Sequence, residues 1–260
     1  MPLAQHSGVS ASKRSRWLLE QLNNAGAVNT VDAALHWGCS RETIRKDLVA
    51  LEAQGLIRRA HGGALPAGSL TPEAPLESRT SHLEEKLRIA QVALEYLEEG
   101  ATVFLESGTT TGLIASLIPP DFRLTVVTNS LPIAHTLMSS PGVTCHFVGG
   151  KMRRVTQASA GYWALRELDD LAVDIAVLGT NAISESGELS TPDTDEAAMK
   201  ARAVNLGYRR ILLADHSKFG TRALHRYGTL SDISVLITGK EATDTVESIT
   251  GHHPQEMRFA

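Results

Sequence analysis

The stretch Ser40-Arg41-Glu42-Thr43-Ile44-Arg45-Lys46-Asp47-Leu48-Val49-Ala50-Leu51 decides how the front of this chain folds. Ser40 is a helix-capping residue type, its hydroxyl placed to accept from the free amides of a first turn. Ile44, Leu48 and Leu51 follow at i, i+4 and i+7, which is one stripe of a helix. Arg41, Glu42, Thr43, Arg45 and Lys46 fall on the opposite side, so the helix presents cations away from its apolar stripe. Upstream, Ser12 to Asn24 predicts a helix with Trp17, Leu18 and Leu22 inward and Gly26 at its end. A second helix, capped by Thr30, runs to Trp37, where Gly38 closes it after barely two turns. Downstream, Gly55 stops the third helix, and Leu56 to Leu65 reads as two short strands around a Gly62-Gly63 turn. Helix, short helix, tight turn, helix and hairpin is the layout of a winged helix-turn-helix over residues 12–65.

The charge distribution agrees with that layout. Residues 1–65 hold eight cations against five anions, a local charge of +3 in a chain whose net charge is -4, so the remainder carries -7. A basic head on an acidic body fits a polyanionic partner for the head, and on charge alone it fits an ordinary solvated helical bundle equally well. The composition, 42% hydrophobic and 21% charged, is that of an ordinary soluble globular protein. No apolar run approaches the roughly 18 residues of a membrane span, and residues 1–11 lack the apolar core of a secretory signal. They read as a disordered tail, and the expected location is the cytoplasm. Cys39 and Cys145 match no metal-ligand spacing and are expected to be free and largely buried. Neither a metal nor a cofactor is expected.

Residues 66–80, with Pro66, Gly68, Pro72 and Pro75, have linker composition. From residue 81 to 260 helices alternate with continuous apolar strands at Ala101–Leu105, Leu124–Thr128, Val143–Val148, Ile175–Leu178, Ile211–Ala214 and Val235–Thr238. That alternation predicts an α/β domain with a largely parallel sheet covered on both faces, its tail after Gly239 adding a helix and an edge strand.

Two sets of residues carry candidate chemistry. In a helix-turn-helix the second helix enters the major groove through its N-terminal residues. Arg41 and Arg45 can read guanine there, Thr43 can touch a thymine methyl or a phosphate, and Lys46 adds charge. Ser40 can cap the helix and contact a phosphate, while Arg58, Arg59, His61 and Gly62 on the hairpin would approach the backbone or minor groove.

The second set lies at strand ends, where open α/β sheets bind ligands. Glu106-Ser107-Gly108-Thr109-Thr110-Thr111 joins a strand to a helix N-terminus, where free amides, hydroxyls and the helix dipole suit an anion. It is neither a dinucleotide fingerprint nor a Walker loop, and by itself it also fits a plain capped helix start. Thr128-Asn129-Ser130, Gly149-Gly150-Lys151, Gly179-Thr180-Asn181 and Asp215-His216-Ser217-Lys218 occupy the same rim. Glu196 and Lys200 either point into that cleft or form an i, i+4 surface pair worth about 0.3–0.5 kcal/mol.

Thr43-Ile44-Arg45-Lys46-Asp47-Leu48 together with Leu51-Glu52-Ala53-Gln54-Gly55-Leu56-Ile57-Arg58-Arg59-Ala60-His61-Gly62-Gly63-Ala64 resembles the DeoR family of bacterial sugar-catabolism regulators. The resemblance continues from Glu85-Lys86 to Thr238 through the strand-end segments above. It implies that Ser40 to Lys46 form the recognition helix and Arg58 to Gly63 the wing. It also implies a sensor domain similar to ribose-5-phosphate isomerase that binds a phosphorylated sugar, fructose 1-phosphate or a relative. The phosphate would sit at Gly108 to Thr111, with Asn129, Lys151, Glu196 and Lys218 near the sugar. Trp37-Gly38-Cys39 departs from the family's aliphatic-Gly-Val turn, and Glu106 from its usual Asp. Leu189-Ser190-Thr191-Pro192-Asp193 with Glu196 to Lys200 looks most like the branch controlling sugar phosphotransferase and fructose genes.

The resemblance implies a homo-oligomeric repressor, a dimer or tetramer on a double-stranded operator, and no catalysis. The isomerase motif Gly-Ala-Asp-Glu stands here as Gly179-Thr180-Asn181-Ala182, without both acids. An isomerase-like enzyme with Glu196 as base and a purely structural oligomerisation domain are the other readings. His252-His253 reads as surface polar, and Trp37, Tyr162 and Trp163 as core or interface packing.

Overall fold

The structure, a computed structural model, describes residues 11–25, 27–54, 56–60, 62–66, 70–71 and 73–260. The expectations for the tail before residue 11, Gly26, Gly55, His61, Gly68 and Pro72 lie outside the described residues. Two compact units divide the chain, Met1–Ser69 and Leu70–Ala260.

In the first unit α1 (Ala11–Ala25), β1 (Val28–Asn29), α2 (Thr30–Trp37) and α3 (Arg41–Ala53) precede β2 (Ile57–Ala60) and β3 (Gly63–Pro66). Leu18, Leu22, Ala33, Ile44, Leu48, Leu51 and Ile57 bury together as its core. Ser40 caps α3 as expected, accepting from the Thr43 amide at 3.1 Å. Thr30 is not the cap of α2. Asn29 is, because it is held extended (φ -91, ψ 131) in a strand, which leaves its Oδ1 2.7 Å from the Val31 amide. That strand, β1, pairs with β3 and makes the hairpin a three-stranded sheet. Gly63 lies so close to it that a Cβ would fall 1.7 Å from the Val28 carbonyl oxygen, so only glycine fits. Gly38 turns α2 into α3 in the left-handed region (φ 57). Cys39 and Trp37 pack, half-buried, at the edge of this core.

The second unit opens with α4 (Leu83–Leu94), β4 (Thr102–Leu105), α5 (Thr109–Leu117), β5 (Leu124–Thr128), α6 (Leu131–Leu137) and β6 (Val143–Phe147). A hairpin follows, β7 (Lys151–Arg153) and β8 (Ala158–Ala160), then α7 (Tyr162–Asp169) and β9 (Val173–Gly179). Next come β10 (Ala182–Ile183), β11 (Glu188–Thr191), α8 (Thr194–Val204) and β12 (Gly207–Ala214). The chain ends with β13 (His225–Thr229), β14 (Val235–Thr238), α9 (Thr243–Glu247) and β15 (Glu256–Phe259).

Seven strands form one sheet in the order β15-β14-β12-β9-β4-β5-β6, every pair parallel. Alternate residues of each strand bury on opposite faces. Phe104, Ala176, Leu178, Leu212 and Leu236 meet α7, α8 and α9, while Val103, Leu105, Val177, Leu213 and Ile237 meet α4, α5 and α6. A fully buried aliphatic side chain contributes about 1.5–3 kcal/mol, which explains why both faces are continuous apolar runs. The expected strands and the tail's helix and edge strand are present; the short antiparallel pieces β7, β8, β10, β11 and β13 carry no comparable apolar signature.

Residues 73–80, assigned to a linker on composition, are held on the second unit. Leu76 donates to the Val155 carbonyl at 2.7 Å, Glu73 pairs with Arg153 at 2.6 Å, and Gln157 bonds Glu77 at 2.7 Å. Cys145 is half-exposed rather than buried, since it sits on edge strand β6. Tyr162 and Trp163 are each 73% exposed, not core, because they open α7 on its solvent side.

Candidate functional site

In the first unit α3 buries Ile44, Asp47, Leu48 and Leu51 and leaves Arg41, Glu42, Arg45 and Lys46 exposed, so its charged face is free for a duplex. Asp47 would oppose DNA, but Arg14 of α1 holds it inward through bonds of 2.6 and 3.1 Å. That contact raises the Arg14 pKa and fixes α1 against the recognition candidate. Ser40 and Thr43 share a hydroxyl bond of 2.9 Å, which orients both at the start of α3. The wing cations are less free than expected. Arg59 is tied to Glu52 through its amide at 2.7 Å and through its guanidinium, which ties the hairpin to α3. Arg58 is half-buried, and that burial lowers its pKa. Gly62 is exposed at the turn with φ 74.

In the second unit the chain runs β4, β5, β6 outward on one side, then returns to β9 on the other side of β4. The carboxyl ends of β4 and β9 therefore flank the point where the order reverses, where a parallel sheet opens a crevice. Glu106 leaves β4 there and Gly179 ends β9. The Lys200 ammonium lies 2.6 and 2.8 Å from the two Glu106 oxygens and 2.9 Å from the Gly179 carbonyl, and the Gly179 amide donates to Glu106 at 3.0 Å. Of the two readings of Lys200, the surface pair with Glu196 is excluded: α8 turns Lys200 inward, into a buried pair with Glu106. All three Lys200 protons have acceptors, which ties α8 to the carboxyl ends of β4 and β9. Burial pushes the Glu106 carboxyl up against the opposing pull of Lys200.

Glu196 instead meets Arg153 at 2.6 Å and accepts from the Thr191 hydroxyl at 3.1 Å. Arg153, only 10% exposed, also holds Glu73 at 2.6 Å and Asp193 at 3.1 Å. This hub went unrecognised in the sequence, where Arg153 is one cation in a short polar strand. Arg79 reaches the same neighbourhood: its Nε donates to the Ala74 carbonyl at 2.9 Å, and burial lowers its pKa against the pull of Glu196 and Glu73.

At the end of β12, Asp215 Oδ1 accepts from the Ser217 amide at 3.1 Å and from the Ser217 hydroxyl. Its other oxygen has no hydrogen bond and stands 3.8 Å from both Lys86 and Lys218. Burial works against ionisation of Asp215, but Lys218, Ser217 and Lys86 outweigh it and hold its pKa low. Lys86, buried on α4, donates to the Arg79 carbonyl at 3.2 Å; its signal was the Glu85-Lys86 pair opening the helix.

The remaining expected residues divide by what they already hold. Thr128 bonds the Leu105 carbonyl at 2.6 Å, and Asn129 bridges the Ser107 amide and the Ser159 carbonyl, so both buttress the β4 and β5 ends. The Thr111 hydroxyl returns to Gly108 and Thr180 to Ala182, and Asn181 lies 2.9 Å from the Thr191 hydroxyl, whose one proton it shares with Glu196. Gly108 and Thr109 are half-exposed and Thr110 is buried at the start of α5, where the Gly112 amide bonds back to Gly108 at 3.0 Å. The amides before it have no partner within the helix, an arrangement suited to an oxyanion. Lys151, exposed beside Gly150, pairs with Asp195 at 3.1 Å. With Tyr162 and Trp163 they line an open pocket of about 440 Å³.

Residues 14–68 match the DeoR-like helix-turn-helix domain, and residues 81–240 the DeoR C terminal sensor domain. The chain is 36% identical to the HTH-type transcriptional regulator GlpR of Haloferax volcanii, over 92% of this chain and 94% of that protein. It is 32% identical to the glycerol-3-phosphate regulon repressor of Escherichia coli K12, over 95% and 98%. Both relatives are named as regulators of transcription, not as enzymes. Among solved structures, ribose 5-phosphate isomerase A from Methanocaldococcus jannaschii aligns over 54% of this chain and 55% of its own, at 18% identity and a TM-score of 0.39, a likeness too low to argue function from. No helix among the described residues is long and apolar enough to cross a membrane. With a helix-turn-helix unit matched over residues 14–68 and a parallel-sheet unit matched over residues 81–240, this chain belongs to the DeoR family of DNA-binding transcription regulators.

Proposed function

We propose that this chain is a cytoplasmic repressor of genes for uptake or catabolism of a phosphorylated carbohydrate. It binds its operator through Ser40, Arg41, Thr43, Arg45 and Lys46 as a homo-oligomer spanning repeated half-sites, and a sugar or polyol phosphate releases it. The observation that carries the reading is the row of polar groups along the carboxyl ends of β4, β9 and β12. The first turn of α5 offers free amides, and Lys86 and Lys218 stand over a carboxylate that only partly occupies them. A phosphate ester meets that demand for anionic oxygens through charge-assisted bonds worth about 1.5–3 kcal/mol each. The names of the relatives, which include a glycerol-3-phosphate regulon repressor, support the same ligand class.

A route for the signal follows from Arg153. It joins Glu196, at the cleft rim, to Glu73, in the segment that leads back along the chain to the DNA-binding unit. A ligand hydroxyl that takes over Glu196 loosens Arg153 and so the segment. Such coupling needs only that the ligand bind the two arrangements with different affinity.

The test is an operator-release assay at fixed salt with the full chain and a promoter fragment. The panel is glycerol 3-phosphate, fructose 1-phosphate and fructose 6-phosphate, with a thermal melt in parallel. At least one ester should release DNA and raise the melting temperature. Retention of DNA and an unchanged melt with every ester would overturn the reading.

A further inference from the structure

We propose that His82, Glu85 and His216 form a binding site for one divalent transition-metal ion, zinc by the chemistry of its ligands. Each of the three offers a ligand atom, and these atoms all lie within 4.8 Å of one another. They come from two elements far apart in sequence. His82 and Glu85 stand one turn apart at the start of α4, and His216 lies in the turn that leaves β12. Two imidazoles and one carboxylate are the ligand set of open, three-residue zinc sites, which leave a fourth position for water or another ligand.

The three side chains differ in how firmly they are held. Glu85 is buried and oriented, one oxygen accepting from the His216 amide at 2.7 Å and the other facing His216 Nδ1 at 2.6 Å. His82 caps nothing with its side chain, and among the described residues its ring has no hydrogen-bond partner. Its ring meets that of His216 edge to face, 4.4 Å between centroids. A half-buried imidazole turned onto a second imidazole and a buried carboxylate is placed to share an ion with them.

Around a tetrahedral zinc the ligand atoms stand about 3.3 Å apart, given metal–ligand distances of about 2.0–2.2 Å. The Glu85–His216 contact therefore opens by several tenths of an ångström, within reach of a His216 side chain that is 30% exposed. Lys86 and Lys218 stand 3.8 Å from the Asp215 carboxylate, which offsets one of their two charges, and the Glu85 carboxylate offsets one charge of the ion. An ion there would stiffen the turn that carries Asp215 and Lys218. The site itself does not depend on what that turn binds.

The test uses the full chain, stripped with EDTA and titrated with zinc against a chromogenic chelator, then with cobalt as a spectroscopic substitute. The wild type should take up one equivalent of zinc and give the intense visible absorption of four-coordinate cobalt. His82→Asn keeps a residue that tolerates the left-handed backbone at this position, and circular dichroism checks its fold. It should bind zinc more than about 100-fold more weakly, beyond the 10–100-fold that outer partners of metal ligands are worth, and lose the cobalt absorption. A His252→Ala/His253→Ala variant should behave as wild type. Absence of zinc uptake by the wild type, undiminished binding by His82→Asn, or loss of binding in the tail variant would each overturn the proposal.

Discussion

Replacing Lys200 with Met, alone and together with Glu106→Gln, tests whether this pair is a brace of the switch point or a ligand contact. The two side chains are 6% and 4% exposed, and bonds of 2.6 and 2.8 Å join them. Lys200→Met leaves the Glu106 carboxylate with the Gly179 amide as its remaining polar contact, and an uncompensated buried charge costs about 3–5 kcal/mol. For a unit the size of Leu70–Ala260 each kcal/mol moves the midpoint by about 2–4 °C, so the expected fall is about 6–20 °C. The double variant removes both charges. Because burial already works against the Glu106 carboxylate, the neutral pair should recover most of that loss, to within about 1–2 kcal/mol of wild type. Differential scanning calorimetry reads both numbers, and operator release by a phosphate ester reads function in the double variant. A Lys200→Met midpoint within 2 °C of wild type (about 1 kcal/mol at most), or a double variant as unstable as the single, would refute the brace. Loss of ester response in a stable double variant would make the pair a ligand contact after all.

Four further outcomes are expected. Arg45→Ala should weaken specific operator binding by about 1–3 kcal/mol at fixed salt, and unchanged affinity would move the recognition surface elsewhere. Lys218→Ala should leave DNA binding intact and shift the ester concentration needed for release upward about tenfold or more, consistent with loss of a charge-assisted bond; release at the wild-type concentration would remove Lys218 from the site. Arg153→Lys cannot hold Glu73, Asp193 and Glu196 with one ammonium, so hydrogen exchange over residues 73–80 should accelerate; unchanged protection would show that Arg153 does not secure the segment. Gly63→Ala should cost the DNA-binding unit about 1–3 kcal/mol in urea unfolding, since its Cβ would meet the Val28 carbonyl at 1.7 Å; wild-type stability would mean the strand approach is looser than described.

Residue types were legible in the sequence, and partners were not. The cap at Ser40, the stripe Ile44–Leu48–Leu51 and the apolar strands are local patterns, and they reappear where their periods place them. Pairing is decided by topology. Glu106 and Lys200 lie 94 positions apart, and Arg153 and Glu73 lie 80 apart, so no local spacing announces either contact. Lys200 reads naturally as the mate of Glu196 one turn before it, until the strand order brings β4 beneath α8. Composition misled in the opposite direction at residues 73–80. Prolines and scattered polar residues describe a linker equally well when its Leu76 amide and its carboxylates are engaged by the β7–β8 hairpin.

The division between engaged and available groups sets what the cleft can recognise. Glu106, Thr128, Asn129 and Thr111 already hold parts of the protein, and Glu196, the residue weighed as a catalytic base, is committed to Arg153 and Thr191. What is left, amides at the start of α5 and two lysines sharing one aspartate, favours an anion rather than a reacting carbon. A general base must be free to accept a proton, and here the candidate is neutralised by a guanidinium at 2.6 Å. The same bond that removes the base ties the cleft to the segment preceding α4. In the proposed reading, a ligand that breaks it would free residues 73–80 rather than start turnover.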